Sequence, residues 1–367
     1  MVGDRAGDKP VLENPNPGDR PVLGISIGDP AGIGPEITLK ALARSEIYEK
    51  AVPVVYADRL VLEDGLKVTG KELSLRPVKE PGEALGRPET IDFIEAGVIM
   101  QSGDYAYGKT GAKSGDAAFQ YVARAINDAQ AGAVDAVVTC PINKEAINLA
   151  GHHFAGHTEI FAHYTNTKNY GMLLSARNGA GSLNVIHVTT HVSLRRACDL
   201  ITKDRVLDTI RLADIALTLM GGKTRRIAVA GLNPHSSENG LFGYEENTEI
   251  IPAIEEAKAE GLDASGPYPP DTVFVKALGG AFDIVVAMYH DQGHIPLKLC
   301  GFTVKKVAAT FSVTGVNATI GLPVIRTSVD HGTAFDIAGK NQAGEDSLLD
   351  AIDMAITFCI NRAPVKP

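Results

Sequence analysis

From about residue 21 to its end, this 367-residue chain alternates short runs rich in β-branched residues with longer stretches of helical periodicity. Strands separated by helical crossovers pair in parallel, so the alternation predicts an α/β fold on a mainly parallel sheet, with length for roughly two domains. Strands are expected at residues 21–27, 51–56 and 135–140, and a helix at 113–131, where Ala118, Val122, Ala125, Ile126 and Ala129 fall at helical spacing. A turn at 29–36, with Gly34 and Pro35, starts the helix after the first strand. Another helix is expected to use Asp204 as its cap, bury Val206, Ile210, Ala213 and Leu217, and end at Gly221 and Gly222. Further helices are predicted over 245–260 and 347–361, whereas 65–110 is weakly patterned and reads as irregular. No linker breaks the pattern. Two lobes sharing one continuous sheet are expected, 21–148 with 334–367 forming the first and 149–333 the second.

A formal net charge of -9 leaves no general basic face for nucleic acid or an anionic membrane, so an anionic substrate would need local cations or a metal. Cys140, Cys198, Cys300 and Cys359 form no C-x-x-C pair, which argues against zinc knuckles and disulfide frameworks. The first twenty residues are polar and rich in Gly, Pro and Asp, lack the apolar stretch of a signal peptide, and read as a disordered leader. No run reaches the ~18 apolar residues of a membrane helix. A cytoplasmic location follows as the expectation.

Three strand-like runs, 183–191, 226–235 and 282–290, each end in a histidine. Carboxyl ends of strands in an α/β sheet face the ligand crevice, so His191, His235 and His290 are candidates to converge on one divalent metal. Any one of them alone would be better read as a packed or hydrogen-bonded structural residue; three in equivalent settings favour convergence. Neutral imidazole suits zinc, cobalt or nickel, and three protein ligands leave a position open for a substrate oxygen. Asp291, beside His290, and Asp271, after two prolines, either orient ligands or cap local structure.

Lys298 and Arg326 are cations set among apolar residues, where an unpaired charge is costly. Each calls for an anion, either a ligand phosphate or carboxylate or an acidic side chain in a structural salt bridge. Taken alone, Arg326 is better read as the latter. Gly156, His157, Thr158 and Glu159 open a helix whose backbone N–H groups and Thr158 hydroxyl either meet an anion or make an ordinary start with Thr158 as cap. No G-x-G-x-x-G fingerprint occurs; glycine-rich loops at 28–34 and 330–340 bring backbone near a ligand without identifying one.

Taken together, GDPAGIGPE, GHTE, TTH, GLNPH, MYHDQG and GLPVIRTSVDHGTA, in this order, resemble the 4-hydroxythreonine-4-phosphate dehydrogenase family from about residue 21 to the C-terminus. The resemblance implies two α/β/α lobes around a cleft, similar to the isocitrate and isopropylmalate dehydrogenases, and a homodimer with a shared active site. It implies that His191, His235 and His290 bind a divalent ion (zinc, cobalt, manganese or magnesium) at the dimer interface. His157, Thr158, Lys298, Asn317 and Arg326 are then expected to contact a phosphorylated acid. By the same analogy His331, Gly332, Thr333, Ala334 and Asp336 meet NAD or NADP, which accounts for the missing nucleotide fingerprint.

Residues 293–298, Gly-His-Ile-Pro-Leu-Lys, depart from the order near Gly-Leu-Pro-Val-Leu-Lys of the pyridoxine-pathway enzymes, and the stretch from Lys298 to Asn317 is longer than theirs. Both features are similar to the branch acting on 4-phospho-D-threonate and 4-phospho-D-erythronate, with His294 either meeting a substrate hydroxyl or lying solvated in a loop. The reaction implied is oxidation of a C3 hydroxyl with hydride passing to the nicotinamide, then loss of the β-carboxylate to give dihydroxyacetone phosphate. Asp271 or Asp291 would take the proton through water. Alternatives within the family are 4-hydroxythreonine-4-phosphate itself and an aromatic cis-dihydrodiol carboxylate. Outside it stand an acyltransferase, which has no need of three histidine ligands, and a two-lobed binding protein, which if exported should carry a signal peptide.

Overall fold

The computed structural model describes residues 20–305, 310–313 and 315–362, so all but the last residue of the expected leader, and part of the long stretch between Lys298 and Asn317, lie outside the described residues. The strands are β1 (Val22–Ser26), β2 (Val52–Tyr56), β3 (Ser74–Pro77), β4 (Thr90–Ile94), β5 (Ala136–Thr139), β6 (Gly171–Asn178), β7 (Gly181–His187), β8 (Ile227–Ala230), β9 (Ala264–Tyr268), β10 (Ile284–Ala287), β11 (Phe302–Lys305), β12 (Thr310–Val313), β13 (Val316–Ile320) and β14 (Ile325–Val329). Twelve of them form one continuous sheet in the order β3-β4-β2-β1-β5-β14-β13-β6-β7-β10-β8-β9, and β11 and β12 pair as a separate antiparallel hairpin.

The outer parts of the sheet are parallel, as the alternation requires, with β1, β2, β5, β8 and β10 reading as near-continuous apolar runs buried under helices. The centre is not parallel. Pairs β14–β13, β13–β6 and β6–β7 are antiparallel, and three reversals make the two parallel halves run in opposite directions. The connections β6–β7 and β13–β14 are too short to hold a crossover helix, so these strands turn straight back. The C-terminal helix Asp346–Asn361 packs on β14 and β5, returning the chain end to the first half of the sheet.

Ala112–Gln130 and Asp346–Asn361 match the periodic segments within a residue. Thr202, not Asp204, caps the helix Lys203–Leu219, its hydroxyl accepting from Arg205 N; Asp204 lies in the first turn, where a carboxylate favours the helix dipole. The segment expected as one helix over 245–260 opens with a π turn, Glu246–Ile250, before the α-helix Ile251–Ala259. Residues 65–110 are not irregular throughout: they contain the end of the helix Arg59–Thr69 and the paired strands β3 and β4. Strand β3 lies at the sheet edge with no buried face, so it carries no alternation to read.

One carboxylate fixes the loop after β4. Fully buried Asp58 accepts from the backbone N–H groups of Ala96, Gly97, Val98 and Ile99 and from the Tyr121 hydroxyl. Asp58→Ala strands these donors and is expected to cost about 3–5 kcal/mol, read as a lower urea midpoint; a loss below about 1 kcal/mol would contradict this account. Among the described residues no helix is long and apolar enough to cross a membrane.

Candidate active site

A cavity of about 380 Å³ opens beside β5, β13 and β14, closed on its other sides by the helices His157–Tyr164 and His290–Gly301. All six residues expected to meet the substrate line it: His157, Thr158, His294, Lys298, Asn317 and Arg326. His191 joins them from the histidine set, and His331 and Gly332 from the dinucleotide loop.

Arg326 lies within β14 and is only 3% exposed. Its Nη1 and Nη2 donate to the hydroxyls of Thr319 (3.2 Å) and Thr139 (2.9 Å), its Nε is buried without an acceptor, and among the described residues it has no ion pair. The salt-bridge reading of Arg326 is therefore corrected. Lys298 makes that pair instead, its Nζ 2.8 Å from Asp330 Oδ2. Burial lowers the Arg326 guanidinium to about 10, so it stays charged at neutral pH in a place where charge is costly. The nearby polar groups are also left open: among the described residues, His157 Nε2 and Asn317 Oδ1 are buried without hydrogen-bond partners. Burial, then the charges of Arg326 and Lys144, hold the His157 imidazole well below its usual range and keep it neutral. Thr158 is not a cap: Gly156 occupies that position, and the Thr158 hydroxyl stands 3.5 Å from that of Thr319.

Strands β7, β8 and β10 stop at His187, Ala230 and Ala287, short of the expected histidines, which occupy the segments just beyond. The ring centroids of His191 and His290 are 5.6 Å apart. Two imidazoles sharing one tetrahedral ion at about 2 Å would have centroids roughly 5 Å apart, so this pair fits a common metal. His290 Nδ1 donates to Asp291 Oδ1 at 2.7 Å, which leaves its Nε2 lone pair for a ligand and makes Asp291 an orienting group. His294 stacks on His290 at 3.6 Å and donates through Nδ1 to the His290 carbonyl, leaving Nε2 as an acceptor.

His235 does not join them. It is exposed, on a turn in which residues 235 to 239 have φ of 52, 54, 68, 48 and 57°, a left-handed run of five non-glycine residues that costs of order 1 kcal/mol each. Among the described residues no three His, Cys, Asp or Glu side chains gather to hold a metal. Within one chain, two of the three expected ligands fit and the third does not. Asp271 is also outside the cavity lining, exposed in the first turn of the helix Pro270–Leu278.

The two glycine-rich loops meet. Ile33 N donates to Thr333 O (3.1 Å) and Gly339 N to Glu36 Oε1 (2.6 Å), while a Cβ at Gly32 would stand 3.0 Å from Thr333 Cβ. Ala334 holds a φ of 44° and Asp336 is exposed, its carbonyl accepting from Lys340. Asp29, fully buried beneath this junction, has its carboxyl raised from 3.8 to about 6 by burial, offset in part by hydrogen bonds from Ala31, Ser114 and Asn143. A raised carboxyl favours the folded state only while protonated, so that stability is complete below about pH 3.8 and is lost as pH rises through about 6. Asp29→Asn is therefore expected to gain up to about 3 kcal/mol on the wild type between pH 4 and pH 7 in denaturant titrations; a pH-independent difference would contradict it.

Residues 49–355 match the family described as pyridoxal phosphate biosynthetic protein PdxA. The chain belongs to the PdxA family. This PdxA-family chain is 46% identical to the D-threonate 4-phosphate dehydrogenase of Cupriavidus necator, covering 94% of the chain and 98% of that relative. It is equally 46% identical, over the same shares, to the 4-hydroxythreonine-4-phosphate dehydrogenase of Desulfosudis oleivorans. The crystal structure of 4-hydroxythreonine-4-phosphate dehydrogenase from Klebsiella pneumoniae superposes with a TM-score of 0.79 at 43% identity, covering 92% of this chain and 99% of that one.

Of the cavity's charged groups, Lys144 was not named from the sequence, and Glu159 and Asp330 were named only as members of the 156–159 and 330–340 segments. Lys144 follows β5 as the histidines follow their strands, and the same strand-end logic points to it. The buried His187, its ring 4.8 Å from His294, is the last residue of β7; the run read from the sequence continues to His191, which places the strand end past it.

Proposed function

We propose that the chain is a divalent-metal-dependent NAD(P) dehydrogenase oxidising the C3 hydroxyl of a four-carbon acid 4-phosphate, 4-phospho-D-threonate or 4-phospho-D-erythronate. The 3-oxo acid then loses its carboxylate as carbon dioxide to give dihydroxyacetone phosphate. The observation that carries the reading is Arg326, a buried cation without an ion pair among the described residues, whose cavity also holds His191 and His294. The names of the relatives supply the substrate class.

Arg326 and Lys298 grip the phosphate by charge, and His157, Thr158 and Asn317 by hydrogen bonds, which fixes C3 relative to the histidines. His294 accepts from a substrate hydroxyl through Nε2. A metal held by His191 and His290 would supply Lewis acidity at the reacting hydroxyl. The loop from His331 to Asp336, resting on Ile33 and Glu36, takes the dinucleotide. Since His235 stands apart within one chain, we assign the third ligand to the partner's His235 in a homodimer with shared sites. Leu241, Phe242 and Tyr244 after His235, and Ile295 and Leu299 one turn apart beside His294, are exposed apolar side chains that such an interface would cover. Asp291 orients His290 and so is not assigned as the base.

A second reading, oxidation of 4-hydroxythreonine-4-phosphate, has the support of the Desulfosudis oleivorans relative. The test is NADH or NADPH absorbance with all three phosphorylated acids, with and without a chelator. Turnover of 4-phospho-D-threonate or 4-phospho-D-erythronate, lost on chelation, is expected. Turnover of 4-hydroxythreonine-4-phosphate alone would select the second reading, and no turnover of any would end both.

A further inference from the structure

The turn carrying His235 is conformationally unfavourable; bonds within it, such as Ser236 N to Asn233 O and Phe242 N to Ser237 O, close it, and a buried carboxylate anchors its base. Glu246, 1% exposed, sends Oε1 to the backbone N–H groups of Leu232 (2.8 Å) and Asn233 (2.7 Å), and Oε2 to Asn233 Nδ2 (2.8 Å). Glu245 Oε2 takes a further bond from Asn233 Nδ2 at 2.8 Å. Both carboxylates stand where the π turn Glu246–Ile250 begins, a local widening of the helix that brings Glu246 under the loop. Among the described residues Glu246 has no ion pair, so its charge is met by amides of the loop itself. Gln292 ties the loop from the other side, donating to Gly231 O (2.8 Å) and accepting from Met288 N (2.7 Å), which links the segments of His235 and His290.

We infer that Glu246 is a positioning residue: its carboxylate fixes Leu232 and Asn233, and through them holds the left-handed turn that presents His235 as a metal ligand. The presentation of a ligand rests on the proposed metal site, whereas the hold on the turn does not. An L-residue run with positive φ relaxes once the groups anchoring its base are released, so removing the carboxylate frees the turn before any metal is bound.

The test uses full-length Glu246→Ala and Glu246→Gln in metal-free and metal-loaded form. Hydrogen exchange of a peptide covering residues 232–239 is followed in the metal-free protein, zinc affinity is measured by titration, and turnover is measured against zinc concentration. In Glu246→Ala the exchange is expected to quicken at least roughly tenfold and zinc to bind about 10–100-fold more weakly, with turnover recovered at saturating zinc. Glu246→Gln, which keeps one acceptor oxygen but opposes its amide to Asn233 Nδ2, falls between the two. A folded Glu246→Ala with wild-type exchange and zinc affinity, or a loss of turnover that zinc does not restore, overturns the inference. Should Glu246→Ala fail to fold, Glu246→Gln decides on the same readings. A wild type that binds no zinc would remove the metal site, and unchanged exchange in the variants would remove the role of Glu246 independently.

Discussion

Arg326→Met is expected to lower kcat/KM for the phosphorylated acid by about 1,000-fold, because truncating a buried charge that holds an opposite charge costs roughly 3–5 kcal/mol. The same substitution should leave the free protein as stable as the wild type or more so. Methionine follows the arginine stem through the same space and removes a guanidinium that has no ion pair among the described residues, at the loss of its two hydrogen bonds to the hydroxyls of Thr319 and Thr139. A structural arginine behaves oppositely, losing stability while binding is only weakened. Urea denaturation beside steady-state kinetics separates the two, and a stability loss above about 3 kcal/mol with kcat/KM within tenfold would sink the phosphate assignment.

His235→Ala should abolish metal binding and reduce turnover by at least about 10,000-fold, although His235 lies outside the cavity of its own chain. The sharper form of this experiment mixes subunits. If each site joins the cavity of one chain to the partner's His235, a hybrid of His235→Ala and Arg326→Met subunits carries one intact site and one doubly damaged site. Random reassortment of the two inactive variants then restores about a quarter of wild-type activity. Complete sites within single chains would yield no restoration, and native mass spectrometry of the mixture shows whether hybrids formed.

The sequence pattern reached furthest where packing and spacing coincide. The helices Ala112–Gln130 and Asp346–Asn361 were readable because their apolar positions follow one face, and the parallel strands because burial on both sides makes them uniformly apolar. The antiparallel centre was hidden, since the residues of β6 and β13 carry no mark of strand direction, which is set by the length of a turn. In the site, the six residues expected to meet the substrate, Asn317 among them only through the family resemblance, all line one cavity. The pairing of the cations was not readable: whether Arg326 or Lys298 faces an acid depends on Asp330, adjacent to Lys298 only in three dimensions. Of the three histidines expected to converge, His191 and His290 lie near each other and His235 does not within one chain, because equivalent strand ends do not set the reach of the turn beyond them, and His235 follows a left-handed path that sequence periodicity does not encode.

The central claim is that one cavity grips a phosphate at Arg326 and presents a hydroxyl of the same molecule to the histidines. The most direct measurement compares D-threonate 4-phosphate with unphosphorylated D-threonate, each with NAD or NADP and zinc, by following reduced nicotinamide. The phosphate grip predicts kcat/KM at least about 1,000-fold higher for the phosphorylated acid, with one dihydroxyacetone phosphate formed per hydride transferred. Equal kcat/KM for the two acids would contradict it.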